Sequence, residues 1–146
     1  MAPFWRNVLV ALGLAVALAA AGAVAYLTLS GRDGPDLSRS KATAAGLFVV
    51  TIAPEGGVVK QGESQAWTLK VRTAGGAPVE YAAIDISGGM PQHAHGLPTS
   101  PQVTDYLGDG RYRIEGVTFS MRGWWQLRVG ISAAAGSDTV VFNIMP

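Results

Sequence analysis

The sequence predicts an all-β protein, an antiparallel β-sandwich of about seven short strands preceded by one N-terminal transmembrane helix. Three observations predict this architecture. Residues 46–146 alternate apolar and polar side chains with a period of two, which is typical of strands with one face on a core. Glycine- and proline-rich breakers separate the alternating runs, and about twenty uncharged, mostly apolar residues stand near the N-terminus.

The N-terminal segment, residues 1–30, is predicted to meet a membrane. Residues 8–29 carry no charge, and Arg6 precedes them. Positive charge on this side keeps the N-terminus cytoplasmic, so the rest of the chain is predicted to be translocated to the periplasm or extracellular space. The segment is either a retained single-pass anchor at the cell membrane or a signal peptide cleaved after Ala-Val-Ala at 23–25. Its uninterrupted length favours the anchor.

Residues 31–45 predict a flexible tether, because they contain Gly-Pro and several Ser, Asp, Arg and Lys residues without a hydrophobic period. The folded domain is therefore expected at residues 46–146. Its predicted inward positions follow the alternation along successive strands: Phe48, Val50, Ile52; Trp67, Leu69, Val71; Ile84, Ile86; Tyr112, Ile114; Trp125, Leu127, Val129, Ile131; and Val140, Phe142, Ile144.

Six or seven such strands in about a hundred residues are typical of an immunoglobulin-like sandwich, with a small barrel as the alternative. The bulky inward residues favour the sandwich, because they fill a thin core between two sheets. They leave no interior cavity for a ligand, so a functional site is expected in the loops.

Composition excludes several functions. The chain has no cysteine, which excludes disulfides, thiolate zinc sites and cysteine nucleophiles. Its net charge is +1 with scattered basic residues, so no nucleic-acid partner is expected. The sequence contains no nucleophile elbow, phosphate-binding loop or paired-carboxylate signal, so an enzyme is not predicted.

One predicted loop, residues 87–98, holds both histidines of the chain, His93 and His95, together with Met90. Prolines at 91 and 98 favour an extended backbone, in which residues two apart point the same way. Imidazole nitrogen with thioether sulfur is a soft, neutral ligand set that suits copper, and Cu(I) in particular. The loop therefore predicts a copper site.

Consecutive antiparallel strands alternate in direction, and counting these alternations (the strand parity) predicts a fourth ligand, Met121. If residues 102–107 form a strand and all consecutive strands are antiparallel, the turn at 120–123 lies at the same end as the histidines. Without that strand, Met121 leaves the site. The same count puts the start of the first strand, and hence the tether and the membrane, at the pole opposite the histidines.

Three motifs carry a family resemblance. Met-Pro-Gln-His-Ala-His-Gly-Leu-Pro at 90–98, followed by Leu-Gly-Asp-Gly-Arg-Tyr at 107–112 and Phe-Ser-Met-Arg-Gly-Trp-Trp at 119–125, resembles the YtkA-like family. Related FixH-like proteins share the single N-terminal anchor. The resemblance covers about residues 79–145 and implies an extracytoplasmic immunoglobulin-like domain connected with copper handling or oxidase assembly. It points to the same four residues, Met90, His93, His95 and Met121.

Other readings of these residues remain open. The histidines can order a loop through hydrogen bonds, and the methionines can fill gaps at the open end of a sandwich. Alternation predicts that Trp125 faces the core and that Trp124 is an exposed aromatic residue, which would suit a partner surface. The alternative function is thus a metal-free interaction or assembly domain for a membrane or periplasmic complex.

Overall fold

The computed structural model describes residues 34–146. The predicted transmembrane helix and the first residues of the predicted tether lie outside this range. No helix within residues 34–146 is long and apolar enough to cross a membrane.

The described chain forms two antiparallel sheets. The first sheet has five strands in the order β1-β2-β3-β7-β6. These strands are β1 (Ser40–Ala42), β2 (Phe48–Pro54), β3 (Ser64–Thr73), β6 (Gln102–Gly108) and β7 (Arg111–Thr118). The second sheet has four strands in the order β5-β4-β8-β9. These are β4 (Ala83–Met90), β5 (His95–Gly96), β8 (Trp125–Ala133) and β9 (Gly136–Ile144).

The strand order confirms the predicted sandwich. When the seven longer strands are lettered A to G in chain order, the two sheets read A-B-E-D and C-F-G. This is the strand arrangement of a constant-type immunoglobulin domain. The sequence did not predict the two short additions, β1 beside β2 and β5 beside β4.

The core lies between the two sheets, and the period-two pattern located it correctly. Trp67, Trp125, Phe142 and Leu127 have no exposed surface, and Ile84 is the one predicted inward residue that stays partly exposed. Trp125 packs edge-on against Phe119 with ring centres 5.6 Å apart. Burial of side chains of this size, at about 25 cal/mol per Å² of apolar surface, is the main force that holds a cysteine-free domain together.

The N-terminal part of the domain differs from prediction. The compact unit begins at Asp36 rather than Gly46. Strand β1, within the segment predicted to be a flexible tether, pairs with β2 from Ser40↔Thr51 to Ala42↔Val49. The side chains of β1 lack the apolar alternation that marks the other strands. Backbone hydrogen bonds along the edge of the first sheet hold β1 in place instead.

The sandwich has two ends, and its loops divide between them. The histidine end carries the hairpin at 91–94, the loop at 55–63, the turn at 119–124 and the C-terminus. Gln61 forms a bridge with Phe119, and Trp125 pairs with Ile144. The opposite end carries the turns at 74–82, 109–110 and 134–135 and the start of β2.

The start of β2, the first strand that the sequence predicted, lies at the opposite end as predicted, but the chain before it enters the domain elsewhere. The Asn143 side-chain amide donates to the Asp36 carbonyl oxygen (2.8 Å), and Asn143 pairs with Gln126 beside Gly89. The described chain therefore enters the domain at the histidine end and runs to the opposite end along β1. The predicted position of the tether was wrong because the count lacked β1, which runs antiparallel to β2 and carries the chain from the histidine end to the opposite end.

Candidate functional site

The two histidines lie on a tight β-hairpin. Strand β4 ends at Met90, the chain reverses through Pro91, Gln92, His93 and Ala94, and β5 returns with His95 paired to Met90. The His93 N–H donates to the Met90 carbonyl oxygen (3.2 Å), and Ala94 takes a left-handed φ of 52°. The prolines predicted an extended loop, and this was wrong. Pairing of β5 with β4 turns the backbone.

A glycine makes this hairpin possible. A Cβ at Gly89 would collide with the carbonyl oxygen of His95 across the β4–β5 pair. Any other residue would push β5, and His95 with it, away from β4. Gly89 is therefore the sequence signal that places the second histidine, although the alternation of apolar residues does not reveal it.

The hairpin brings the two imidazoles together. Both side chains are exposed, their ring centres lie 6.2 Å apart, and their planes are inclined by 25°. Two imidazoles that share one ion, each with a metal–nitrogen bond of about 2 Å, hold their ring centres about 5–6 Å apart. The separation of His93 and His95 is therefore within reach of one shared ion after rotation about the side-chain bonds.

The two methionines occupy different environments. Met90 is 2% exposed and belongs to the core, whereas Met121 is 42% exposed on the turn between β7 and β8. Met121 is held by its backbone, since the Trp125 indole N–H donates to its carbonyl oxygen (3.0 Å). Its side chain is left free, and so it is more accessible as a ligand than Met90.

The turn with Met121 packs against the histidine hairpin. A Cβ added at Gly123 would lie 2.9 Å from the Cε of Met90, the residue paired with His95. The assumption behind this placement also holds, because residues 102–108 form strand β6. The structure thus puts Met90, His93, His95 and Met121 at the same end of the sandwich, in agreement with the parity count.

A shallow groove of about 300 Å³ runs beside the hairpin on the outer face of the second sheet. His95, Gln126, Arg128 and Ser87 contribute its polar lining. These groups offer mainly hydrogen-bond donors. Gln126 and Arg128 do not stand out in the sequence, since outward residues of a strand look alike until the sheet partner is known.

Trp124 is half-buried and not fully exposed as predicted. Its indole N–H donates to the Asn143 side-chain oxygen (2.9 Å), 19 residues along the chain. Asn143 in turn donates to Asp36, so this network fastens the beginning of the domain to the histidine end.

Charges near the site are partly paired. The Lys41 Nζ lies 2.9 Å from the Asp36 Oδ2. Hydrogen bonds from Ser38, together with the Lys41 ammonium, hold the pKa of the Asp36 carboxyl well below its usual range. Arg39 lies over the Trp67 ring at 5.5 Å, and burial lowers the pKa of its guanidinium. Within residues 34–146 no three side chains among His, Cys, Asp and Glu come close enough to hold a metal ion.

One comparison with known proteins identifies the family. A family model described as YtkA-like matches residues 44–130, which is more than half of the chain. No curated protein matches the chain significantly. The matched stretch runs from the turn before β2 into β8 and contains the hairpin and Met121. The chain therefore belongs to the YtkA-like family.

Proposed function

We propose that this chain is a membrane-anchored, extracytoplasmic β-sandwich module that binds copper through His93, His95 and the methionines at the same end. It serves copper handling or the assembly of an oxidase and is a binding module without catalytic activity. Cu(I) is the favoured ion, because a ligand set of neutral nitrogen and sulfur is soft and adds no charge.

The observation that carries this proposal is the pair of exposed imidazoles, 6.2 Å apart on one hairpin. A tight hairpin limits the separation of its side chains before a ligand arrives, so little ordering is required on binding. The exposed thioether of Met121 is the third ligand, brought to the same end by the contact of its turn with Met90.

Met90 has a different place in the proposal. Its side chain is buried, and its methyl group faces the turn that holds Met121. It supports the site from beneath in the apo protein and becomes a fourth ligand only if the hairpin shifts on binding. Because the domain lacks cysteine, the proposed site does not lose ligands to thiol oxidation outside the cytoplasm.

A competition titration of Cu(I) against a chromogenic chelator tests the proposal. The full chain is compared with the double variant His93→Ala/His95→Ala, and Gln92→Ala in the same hairpin is the matched control. We expect the double variant to lose tight binding and Gln92→Ala to keep it. Acid should release the metal, because only neutral imidazole binds copper and thioethers do not titrate. Superimposed curves for wild type and the double variant would refute copper binding.

The second candidate is a metal-free interaction domain for a membrane or periplasmic protein complex. Within residues 34–146 no third His, Cys, Asp or Glu side chain joins the two histidines as a ligand, and this favours the second candidate. It predicts that the histidine variants affect partner binding while the metal content of the purified protein is negligible in every variant.

A further inference from the structure

Both ends of the domain expose apolar side chains, and Val49, Tyr81 and Leu107 are the exposed ones at the opposite end. Seven large apolar side chains are exposed in residues 34–146, and four of them lie at the histidine end. These four are Leu37, Val58, Met121 and Met145. The most exposed of the four is Val58 at 67%. We call these four side chains the apolar rim.

The strand topology places the apolar rim at one end. Val58 lies in the loop from β2 to β3, and Met121 lies in the turn from β7 to β8. Met145 directly follows Ile144, which pairs with Trp125 at the start of β8. Leu37 follows Asp36, whose carbonyl oxygen is bound by Asn143 at this same end.

These loops are tied to each other, so the apolar rim is presented by a connected surface. The Gly62 N–H donates to the Phe119 carbonyl oxygen (2.8 Å), and the Arg122 guanidinium donates to the Gln61 side chain (3.3 Å). The half-buried Trp124 adds an indole of the kind that is enriched at membrane interfaces. The exposed Arg122 supplies a cation at the same end, where Lys41 and Lys60 form ion pairs with Asp36 and Glu63.

The chain that precedes the described residues indicates what covers this surface. The domain begins at Asp36, at the histidine end, and uncharged apolar residues occupy 8–29. From Leu29 to Asp36 there are seven peptide links, which reach at most about 25 Å when fully extended. The end with the apolar rim is therefore the end joined by a short link to the most apolar stretch of the sequence.

We propose that the histidine end rests on the lipid bilayer, with the apolar rim in contact with the interfacial region. The inference rests on the proposed anchor and is independent of copper binding. Exposed apolar side chains suit a bilayer surface because they enter the headgroup boundary, and the exposed guanidinium of Arg122 can meet an anionic lipid beside them. A site on the hairpin would then open toward the membrane surface and not toward bulk solvent.

The absence of cysteine makes the test simple. Single cysteines replace Val58 or Met145 at the apolar rim, and Leu107→Cys at the opposite end is the matched control, since Leu107 is exposed to a similar degree as Met145. Each full-length variant is labelled with an environment-sensitive fluorophore and reconstituted in vesicles of phosphatidylcholine and phosphatidylglycerol without copper. Lipids with a spin label near the headgroup quench fluorophores at the interface, and iodide quenches those in water.

We expect the labels at 58 and 145 to lose most of their fluorescence with the spin-labelled lipid and the label at 107 to lose it only with iodide. Equal iodide quenching at all three positions, with none from lipid, would overturn the proposal. Shielding from both quenchers that grows with the protein-to-lipid ratio would also overturn it, since a second copy would then cover the rim. Flotation of the unlabelled chain with vesicles is measured first, because failure to float refutes the anchor itself.

Discussion

The two ends of the sandwich differ in the groups that their loops carry. At the opposite end, the buried Tyr112 hydroxyl donates to the Val79 carbonyl oxygen (2.6 Å) and accepts from the Ala82 N–H (3.0 Å). Arg72 and Asp109 form an ion pair there (3.0 Å). At the histidine end, two imidazoles and the apolar rim are turned outward above an aromatic floor of Trp125 and Phe119.

This difference indicates how the domain divides stability from binding. Polar groups with internal partners stabilise the folded state and have few hydrogen-bonding positions left for a ligand. Exposed imidazole and thioether groups add little to stability but remain available to bind a ligand. Changes at the opposite end should therefore alter stability without altering binding. Changes to the outward groups of the histidine end should do the opposite, and the floor beneath them should affect both.

The largest effect is expected at the floor. Trp125→Ala should reduce the free energy of unfolding by about 3–5 kcal/mol, because it leaves a cavity under the histidine end. Trp124→Ala should cost much less, since Trp124 is half-buried and its main polar contact is the bond to Asn143. Urea denaturation followed by circular dichroism measures both, with Trp125→Phe as an intermediate control. Equal losses for the two alanine variants would contradict the observed strand register.

A smaller effect is expected at the opposite end. Tyr112→Phe removes the hydroxyl group that joins Val79 to Ala82 and leaves two backbone groups without their partner. We expect a loss of about 1–3 kcal/mol in unfolding free energy with unchanged Cu(I) affinity. Tyr106→Phe is the control, because the Tyr106 hydroxyl accepts only a longer bond from the Gly110 N–H (3.2 Å). A change in copper affinity in Tyr112→Phe would break the division between the two ends.

Acid should weaken the opposite end through Asp138. The Thr43 hydroxyl and the N–H groups of Ala45, Thr139 and Leu47 lower the pKa of the Asp138 carboxyl to about 2. The folded state therefore favours the ionised form, so this stabilisation is complete above about pH 4 and is lost as the pH falls toward 2.

Thermal melts of wild type and Asp138→Asn between pH 2 and 5 measure this contribution. The melting temperature of the wild type should exceed that of the variant at pH 5, and the difference should shrink toward pH 2. Asp36 and Glu55, whose carboxyl pKa values are also lowered, titrate in both proteins and cancel in the comparison. A difference that stays constant over this range would mean that Asp138 does not titrate with folding.

The sequence predicted the core well because each long strand has one face on it, and a period of two then identifies the buried residues. It also placed Met121 at the histidine end, since residues 102–108 are a strand. It missed β1 and β5 because neither strand has an alternating pattern: β1 is held by backbone pairing and β5 has only two residues. The predicted entry point of the chain was wrong for the same reason, because β1 carries the chain from the histidine end to the start of β2.

The candidate site could be predicted only in part. The histidines and methionines were visible as residue types, but their environments depend on contacts between distant residues. Met90 is buried because of its place at the end of β4. Trp124 is partly buried, and its indole N–H is bonded to Asn143 on a different strand. Whether copper binds is a question of affinity, and no pattern of residues answers it.

The smallest effect on stability, and the sharpest separation of roles, is expected from the two methionines. Met121→Leu removes an exposed thioether and keeps the side-chain volume nearly constant, so the unfolding free energy should change little. Cu(I) affinity should fall and the preference for Cu(I) over Cu(II) should decrease, because a soft ligand is lost. Met90→Leu is the matched core variant, and it should keep copper affinity if Met90 only supports the site. Cu(I) and Cu(II) titrations of both variants decide between the roles. If Met90→Leu loses affinity and Met121→Leu keeps it, the buried thioether is the ligand, and the hairpin must shift to admit the ion.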